Sequence, residues 1–283
     1  MELTQEYTGT IAPDPDNLKP GVYKMGFDAY RNLDAISASG LNWFKRSPAH
    51  YKAALEADRK QTPALLFGEA QHCLLLQPEL FESTYTVLGE GERRKGGDTR
   101  KTLRFNEYEQ LKAIQQAFVS HPYAQHFIEF STRELSIVWE DRSSNADIRF
   151  LCKGRMDALV SINGVTSIVD LKTTTDARPA AFERSIYKYG YHRQGAFYLR
   201  GARALGLEPK HFVIIAIEKQ EPFGIGIFRL MDEAVDVGMK DMESLLALYA
   251  MCKSTNNWPS YDPDVVDIGL PAWALSMEGY DDE

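Results

Sequence analysis

The dipeptide Asn163-Gly164 separates two apolar, alternating runs, Ile148 to Ile162 and Val165 to Lys172, and it constrains this chain more than any other feature. A type I′ turn needs positive φ at both central residues, so Asn-Gly between such runs is the strongest short-range signal for a β-hairpin. With a two-residue loop, Ile162 faces Val165, and pairs counted outward from the turn set Asp157 opposite Asp170. Their Cβ atoms would then lie about 4.5–5.5 Å apart on one face of the sheet. Like charges so placed repel, and the neighbours Ala158, Leu159, Ile168 and Val169 mark this stretch as buried. Two facing carboxylates in an apolar sheet require a cation or a shared proton. Lys172 follows Asp170 by two residues and shares its face, because strand side chains alternate with period 2.

Hard oxygen ligands of this kind suit Mg²⁺, with Mn²⁺ as a substitute. Carboxylate-held metal beside an ammonium is a competent arrangement for activating water against a phosphodiester. The bland alternative is an Asp-Lys salt bridge with a second Asp near a turn, and Asp-x-Lys by itself is common.

The remaining chain reads as alternating helices and strands without internal repeats. Residues 1 to 35, rich in Pro, Asp and Tyr, read as an extended arm. Ser37 or Ser39 caps a helix carrying Leu41, Trp43 and Phe44 that breaks at Ser47-Pro48. A second helix fits Ala64 to Leu76. Residues 90 to 104 are polar and glycine-containing, a mobile loop by composition. Asn106 with Glu109 forms a capping box for a helix burying Leu111, Ile114 and Phe118. Glu134 to Trp139 alternates as a strand, Tyr191 to Leu205 is helical, and Phe212 to Glu218 and Ile225 to Leu230 pair as strands. Asp232 caps a long helix with Val235, Met239, Met242, Leu246 and Tyr249 on one stripe.

Three clusters carry a resemblance: Gly154-Arg155-Met156-Asp157, Asp170-Leu171-Lys172-Thr173-Thr174, and the run from Tyr189 through Gln194 to Tyr198. Together they resemble the core of the PD-(D/E)xK nuclease superfamily, and most closely its RecE (exonuclease VIII) branch. Ile36 to Leu41, Ser47-Pro48, Gly68 to His72 and Glu134 to Ser136 extend the likeness, so that it covers about residue 30 to Trp258. Asp170 stands where the superfamily name allows Asp or Glu. The resemblance implies a restriction-endonuclease-like α/β fold, a mixed central sheet flanked by helices with an N-terminal helical extension. It would form a single nuclease domain over 1–283, with an arm and helix in 1–63, a core in 64–260 and an acidic tail in 261–283.

Carried over residue by residue, it implies that Asp157 and Asp170 bind catalytic metal with His72 as an added ligand, and that Lys172 orients or deprotonates the attacking water. Gln194 and Tyr198, on one helical face at i and i+4, would contact substrate or support the site. Glu134 matches a less secure acidic position. Without the resemblance, His72 reads as a packed helix histidine and Gln194 and Tyr198 as ordinary packing. The implied activity is a Mg²⁺-dependent, processive 5′ to 3′ exonuclease acting on double-stranded DNA ends. The implied partners are a RecT-like single-strand annealing protein and further copies of the chain in a ring. A structure-specific endonuclease and a catalytically silent DNA-end adaptor remain as alternatives.

Net charge bears on this reading. The chain has 32 Lys and Arg against 40 Asp and Glu, a formal −8 that naively opposes binding a polyanion. Seven of those acids, Asp262, Asp264, Asp267, Glu278, Asp281, Asp282 and Glu283, lie in the tail with no Lys or Arg among them. The body therefore holds 33 acids against 32 bases. Within it, residues 91 to 104 set Arg93, Arg94, Lys95, Arg100, Lys101 and Arg104 against Glu92 and Asp98, a basic loop suited to tracking phosphates, with an ordinary solvated surface as the bland alternative. Three cysteines with no close pair, Cys73, Cys152 and Cys252, build neither a disulfide framework nor a four-cysteine iron–sulfur site. Apolar runs such as Phe212 to Ile217 are far short of the roughly 20 residues a membrane helix needs, and the N-terminus lacks a signal-peptide pattern. A soluble, cytoplasmic protein is expected. Glu69-x-x-His72 and Glu208-x-x-His211 do not make a di-iron pair, since Pro209 and the following strand spoil the second helix. Gly224-Ile225-Gly226 lacks a dinucleotide context, and no phosphate loop or Gly-x-Ser-x-Gly is present.

Overall fold

The computed structural model describes residues 18–57, 61–143 and 148–271; the first 17 residues of the expected arm and the last 12 of the acidic tail lie outside them. In chain order the elements are β1 (Gly21–Tyr23), α1 (Phe27–Arg31), β2 (Ile36–Ser37), α2 (Ala38–Arg46), α3 (Pro48–Glu56), α4 (Pro63–Leu76), α5 (Phe81–Thr84), β3 (Tyr85–Leu88), β4 (Lys101–Arg104), α6 (Phe105–Ser120) and α7 (Pro122–Glu129). Then come β5 (Ser131–Arg142), β6 (Arg149–Ile162), β7 (Val165–Thr174), α8 (Pro179–Tyr189), α9 (Tyr191–Ala204), β8 (His211–Glu218), β9 (Ile225–Arg229) and α10 (Asp232–Thr255).

The hairpin forms in the expected register. Ile162 pairs with Val165 and the antiparallel ladder runs to Ala158–Val169, with Asn163 at φ 50° and Gly164 at φ 77°. Around it a mixed sheet has the order β1-β5-β6-β7-β8-β9. β7 and β8 are parallel, linked through α8 and α9, and the other consecutive pairs are antiparallel. One face packs on α2, α9 and α10 through Phe44, Trp139, Phe197, Met242 and Tyr249; the other packs on α4, α6 and α7 through Phe67, Leu75, Leu111, Ile114 and Ile128. Helices on both faces of a mixed sheet are the α/β architecture expected from the sequence.

The sheet forks at the hairpin. β6 stays paired with β5 from Arg149 to Val160, and β7 with β8 from Ser167 to Thr174, but β6 and β7 pair only between Ala158–Val169 and the turn. Beyond that point they diverge, and the short parallel strand β2 takes the vacated edge of β6 at Cys152 and Lys153. Gly154 to Asp157 lie between these two pairings, at the mouth of the fork.

Local differences from the sequence reading have physical reasons. α6 begins at Phe105, and its opening N–H is satisfied by Glu107, whose carboxylate accepts the Arg104 N–H at 2.8 Å, so Asn106 and Glu109 do not form the capping box. Asp232 is the first residue of α10 rather than its cap, which is Met231; the acid still meets the positive helix end. The basic stretch is not loop throughout. Its last four residues are β4, parallel to β3, and Arg100 is held by Asp98 and by the Glu82 carbonyl. The described part of the arm contributes β1 to the sheet edge and the one-turn helix α1. Ser37 caps α2, its hydroxyl accepting the Gly40 N–H at 3.1 Å, and Ser47 caps α3 after the break.

Candidate active site

Three strands bring one carboxylate each to the fork. On β6, Asp157 is 8% exposed; on β7, Asp170 is 2% exposed. The third, Glu134 on β5, lies opposite Asp157, since the β5–β6 ladder pairs Arg133 with Ala158 and Leu135 with Met156 and skips the position between. Glu134 has φ 57°, a left-handed backbone that a non-glycine residue in a strand seldom adopts. The alternation of β6 shifts at the same level: Cys152 and Met156 face the α9 side, whereas Ala158 and Val160 face the α4 side. The irregularity turns both acids out of the ladder and into the fork, as bulges beside functional sites do.

Asp157 closes the crotch of the fork. Its Oδ2 accepts the backbone N–H of Leu171 at 2.7 Å, so a side chain replaces the ladder bond that the diverging strands no longer make. Its Oδ1 lies 3.6 Å from Nδ1 of His72. α4 is set against β7 by two adjacent residues: Gln71 accepts from the Thr173 hydroxyl at 2.6 Å, and His72 Nε2 lies 3.2 Å from the Leu171 carbonyl. A carbonyl can only accept, so Nε2 carries a proton and Nδ1 is the atom turned toward the carboxylates.

Asp170 has different partners. Lys172 forms an ion pair with its Oδ2, and Gln194 of α9 donates to its Oδ1 at 2.8 Å. The Lys172 ammonium also lies 4.9 Å from the centre of the Tyr191 ring. Tyr198, one turn beyond Gln194, is buried over Gly154, where an added Cβ would come within 3.0 Å of its ring. That contact gives the motif glycine a steric reason.

The electrostatics follow from this partition. Burial raises the Asp157 carboxyl, but the His72 charge, Lys172 and the Leu171 N–H outweigh it, and its pKa is held below the ordinary value. Burial dominates at Asp170, joined by the Asp157 charge, and its pKa is pushed up despite Lys172. Burial would lower His72, yet the Asp157 charge drives it up to about 9. Lys172 is likewise raised, Asp170 overcoming its burial, so it stays an ammonium near neutral pH. Burial raises Glu134 against the opposing pull of Arg155.

Of the residues singled out from sequence, His72, Glu134 and Asp157 present ligand atoms that all lie within 4.8 Å of one another. Asp170 occupies the adjoining strand position and is turned toward Lys172 and Gln194. Arg93, Arg94 and Lys95 are exposed on the segment between β3 and β4, and Arg94 donates to the Arg100 carbonyl at 3.4 Å. This segment is tied to α4 by the Lys101–Glu69 ion pair at 2.6 Å. Two contributors lie inside the sequence motifs without a role assigned to them there. Arg155 donates to Glu134 at 2.6 Å and to the Met25 carbonyl at 2.7 Å, and Gln71 anchors α4. Arg155 stands two residues before Asp157, on the same side of an extended strand, which was the available signal.

Among the described residues no helix is long and apolar enough to cross a membrane. No curated protein sequence matches the chain. Among solved structures, a candidate exonuclease from Eubacterium rectale superposes with a TM-score of 0.60 at 16% identity, over 90% of this chain and 98% of that one. An alkaline exonuclease from Laribacter hongkongensis matches 81% of this chain and 94% of its own at 12% identity, with a TM-score of 0.31. The first likeness supports the fold. A family model described as a PDDEXK-like domain of unknown function (DUF3799) matches residues 37–265, most of the sequence and every residue of the fork. The chain, with its forked sheet and the acids gathered there, belongs to that PDDEXK-like family.

Proposed function

We propose that the protein is a divalent-metal-dependent deoxyribonuclease, an exonuclease of the RecE type that degrades one strand from linear duplex ends, 5′ to 3′. The observation that carries the reading is the fork, where His72, Glu134 and Asp157 converge beside an Asp170–Lys172 pair in a buried polar patch.

The donor set fits a hard divalent cation. Carboxylate oxygens and one imidazole nitrogen suit Mg²⁺ or Mn²⁺, and a histidine ligand ordinarily donates its second N–H to a carbonyl, as His72 does to Leu171. The Asp157 charge that raises His72 attracts a proton where a metal cation would serve, and burial of Asp170 makes an unneutralised carboxylate there costly. His72, Asp157 and Asp170 would hold the metal, with Glu134 completing the set. When bound, the metal polarises the phosphodiester and its water.

The chain's own residues supply the rest. The Leu171 N–H fixes the Asp157 carboxylate, and Gln194 fixes that of Asp170, so both are oriented before substrate arrives. Lys172, kept protonated, orients the attacking water through its N–H donors and offsets charge that builds on the phosphoryl oxygens. Tyr198 supports Gly154 at the mouth, and Arg93, Arg94 and Lys95 would track phosphates. The full chain acts as one nuclease unit, whose product strand suits a RecT-like annealing partner. A ring of copies would keep DNA threaded.

Incubating linear and closed-circular duplex with Mg²⁺, with Asp170→Ala as control, tests the reading. Loss of the linear form alone, abolished by the substitution, is expected. Cutting of circles identifies an endonuclease, and no digestion at all favours a silent DNA-end adaptor.

A further inference from the structure

The segment Tyr187-Lys188-Tyr189-Gly190-Tyr191 joins α8 to α9, and the site described above uses only Tyr191, under Lys172. Gly190 makes the join possible. It has φ 72°, a left-handed backbone that L side chains rarely adopt, and an added Cβ would also displace the Arg193 guanidinium 2.3 Å away. The turn stacks Tyr189 on Tyr191, with ring centres 5.7 Å apart and an interplanar angle of 29°. Tyr189 is 51% exposed, and the Lys188 ammonium lies 5.3 Å from its ring centre. The turn is held from below: Asn42 donates to the Tyr189 carbonyl at 3.4 Å and accepts from Arg193 at 2.9 Å, and Arg193 pairs with Asp241.

A half-exposed aromatic ring is ordinary by itself, and what sets Tyr189 apart is its stacking on the ring beneath Lys172. This one continues, ring on ring, from the Lys172 ammonium to solvent, and it carries a cation beside it. Aromatic faces interleaved with basic side chains are how proteins hold unpaired nucleotides, the rings taking bases and the cations taking phosphates. A base still stacked inside a duplex has no free face to offer, so such a rail favours a strand that has left its partner.

We propose that Tyr189, stacked on Tyr191 and flanked by Lys188, is a platform on which an unpaired nucleobase adjoining the attacked phosphodiester stacks. The inference rests on the nuclease reading and adds a specificity element to it: the enzyme grips frayed or single-stranded DNA beside the fork. The platform is preorganised by the Asn42–Arg193–Asp241 chain, so little conformational freedom is lost on binding.

The test compares full-length wild type with Tyr189→Leu and Tyr189→Trp. The probes are a single-stranded twelve-residue oligothymidylate carrying one 2-aminopurine and a blunt duplex of the same length, both in Ca²⁺ to suppress cleavage. Mg²⁺-dependent digestion of linear duplex is followed in parallel. Base–aromatic stacking of about 1–3 kcal/mol corresponds to roughly 5- to 150-fold in affinity. Tyr189→Leu should weaken single-strand binding within that range and abolish quenching of the 2-aminopurine, while blunt-duplex affinity changes less than about twofold and Tyr189→Trp retains both properties. Equal losses on both probes, or no loss on either, overturn the platform. So does a Tyr189→Leu effect confined to concentration-dependent self-association, which would mean that the ring meets another copy of the chain. Wild type that digests linear duplex while Tyr189→Leu binds oligonucleotide normally overturns the platform alone; wild type that neither digests nor binds DNA overturns the nuclease reading with it.

Discussion

The two ends of one hairpin behave as different materials. Toward the turn, β6 and β7 pair residue for residue, and Ala158, Leu159, Ile168 and Val169 are almost wholly buried between helices on both faces. Away from the turn the same strands part, and the next residues inward are Asp157 and Asp170, equally buried but charged. The closed end obeys the rules of a core. The open end violates them and restores the balance with side chains: Asp157 caps the Leu171 N–H, and Lys172 and Gln194 surround Asp170. Chemically identical groups are thereby driven apart, one carboxyl lowered and the other raised. Such divergence is how a fold assigns two acids two tasks.

The comparison predicts opposite penalties at the two ends. Asp170→Ala or Lys172→Ala should reduce Mg²⁺-dependent digestion of linear duplex by about 10³-fold or more, the scale for losing a preorganised charge at a developing oxyanion. Neither should lower the denaturation midpoint as far as a core truncation does. Leu159→Ala, two residues from Asp157 but facing the core, should cost about 2–5 kcal/mol in urea unfolding, with residual folded protein digesting DNA at the wild-type rate. If Leu159→Ala abolishes digestion in fully folded samples, the separation of core and site at the fork is wrong.

The closed end was legible because local chemistry dictates it: Asn163-Gly164 sets the register, and period-2 alternation tells which residues face inward. The same count put Asp157 and Asp170 at matching positions. What it could not supply was the fork, because divergence of β6 from β7 depends on β5, β2 and β8 competing for their edges, and those pairings are non-local. Glu134 shows the limit. It reads as a strand-start acid, yet the strand begins at Ser131, and a left-handed backbone inside it delivers the carboxylate to Asp157. No periodicity announces a positive φ at a glutamate. His72 was ambiguous for a related reason, since its helix has apolar residues around most of its circumference and no polar face to distinguish. The basic stretch misled in the other direction: composition spoke for a loop, while β3 offered an edge to its last four residues.

Metal binding should read out the charge imbalance of the open end. In the metal-free protein His72, raised to about 9 from 6.5, keeps its proton at pH 8. The sign follows from linkage: a raised folded-state pKa stabilises fully below the unfolded value and loses that contribution as pH climbs through about 9. A ligand nitrogen must be deprotonated, so metal binding at pH 8 should release a proton from His72. Titration calorimetry in buffers of different ionisation heat should show close to one proton fewer released by His72→Gln than by wild type. Equal release would remove His72 from the ligand set. The thermal shift should follow the same logic. Saturation at 100 times Kd stabilises by about 2.7 kcal/mol, and adding chelator should lower Tm less in Asp157→Asn, where less repulsion awaits a cation. An Asp157→Asn shift equal to that of wild type would mean that the facing carboxylates do not depend on the metal.

The smallest effect belongs to the segment between β3 and β4, which contrasts with both ends of the hairpin in being exposed. Its bases are not equivalent. Arg100 is committed to Asp98, the Glu82 carbonyl and Thr86, and Lys101 to Glu69 on the helix that carries His72. Arg93 and Lys95 have no such anchors among the described contacts, and Arg94 makes only a long bond to the Arg100 carbonyl. The anchored pair fixes where the segment leaves α4, and the less anchored trio would displace counterions condensed on a phosphate backbone. Replacing Arg93, Arg94 and Lys95 together with Gln should therefore flatten the plot of log affinity for duplex against log salt by up to about 0.9 for each lost phosphate contact. The folded state should be untouched, because surface charges of this kind contribute little to stability. Lys101→Gln supplies the control: it cuts the tie to α4, so it should disturb catalysis more than the salt slope. An unchanged slope in the triple variant would assign phosphate tracking to another surface and leave the segment as a structural flap on α4.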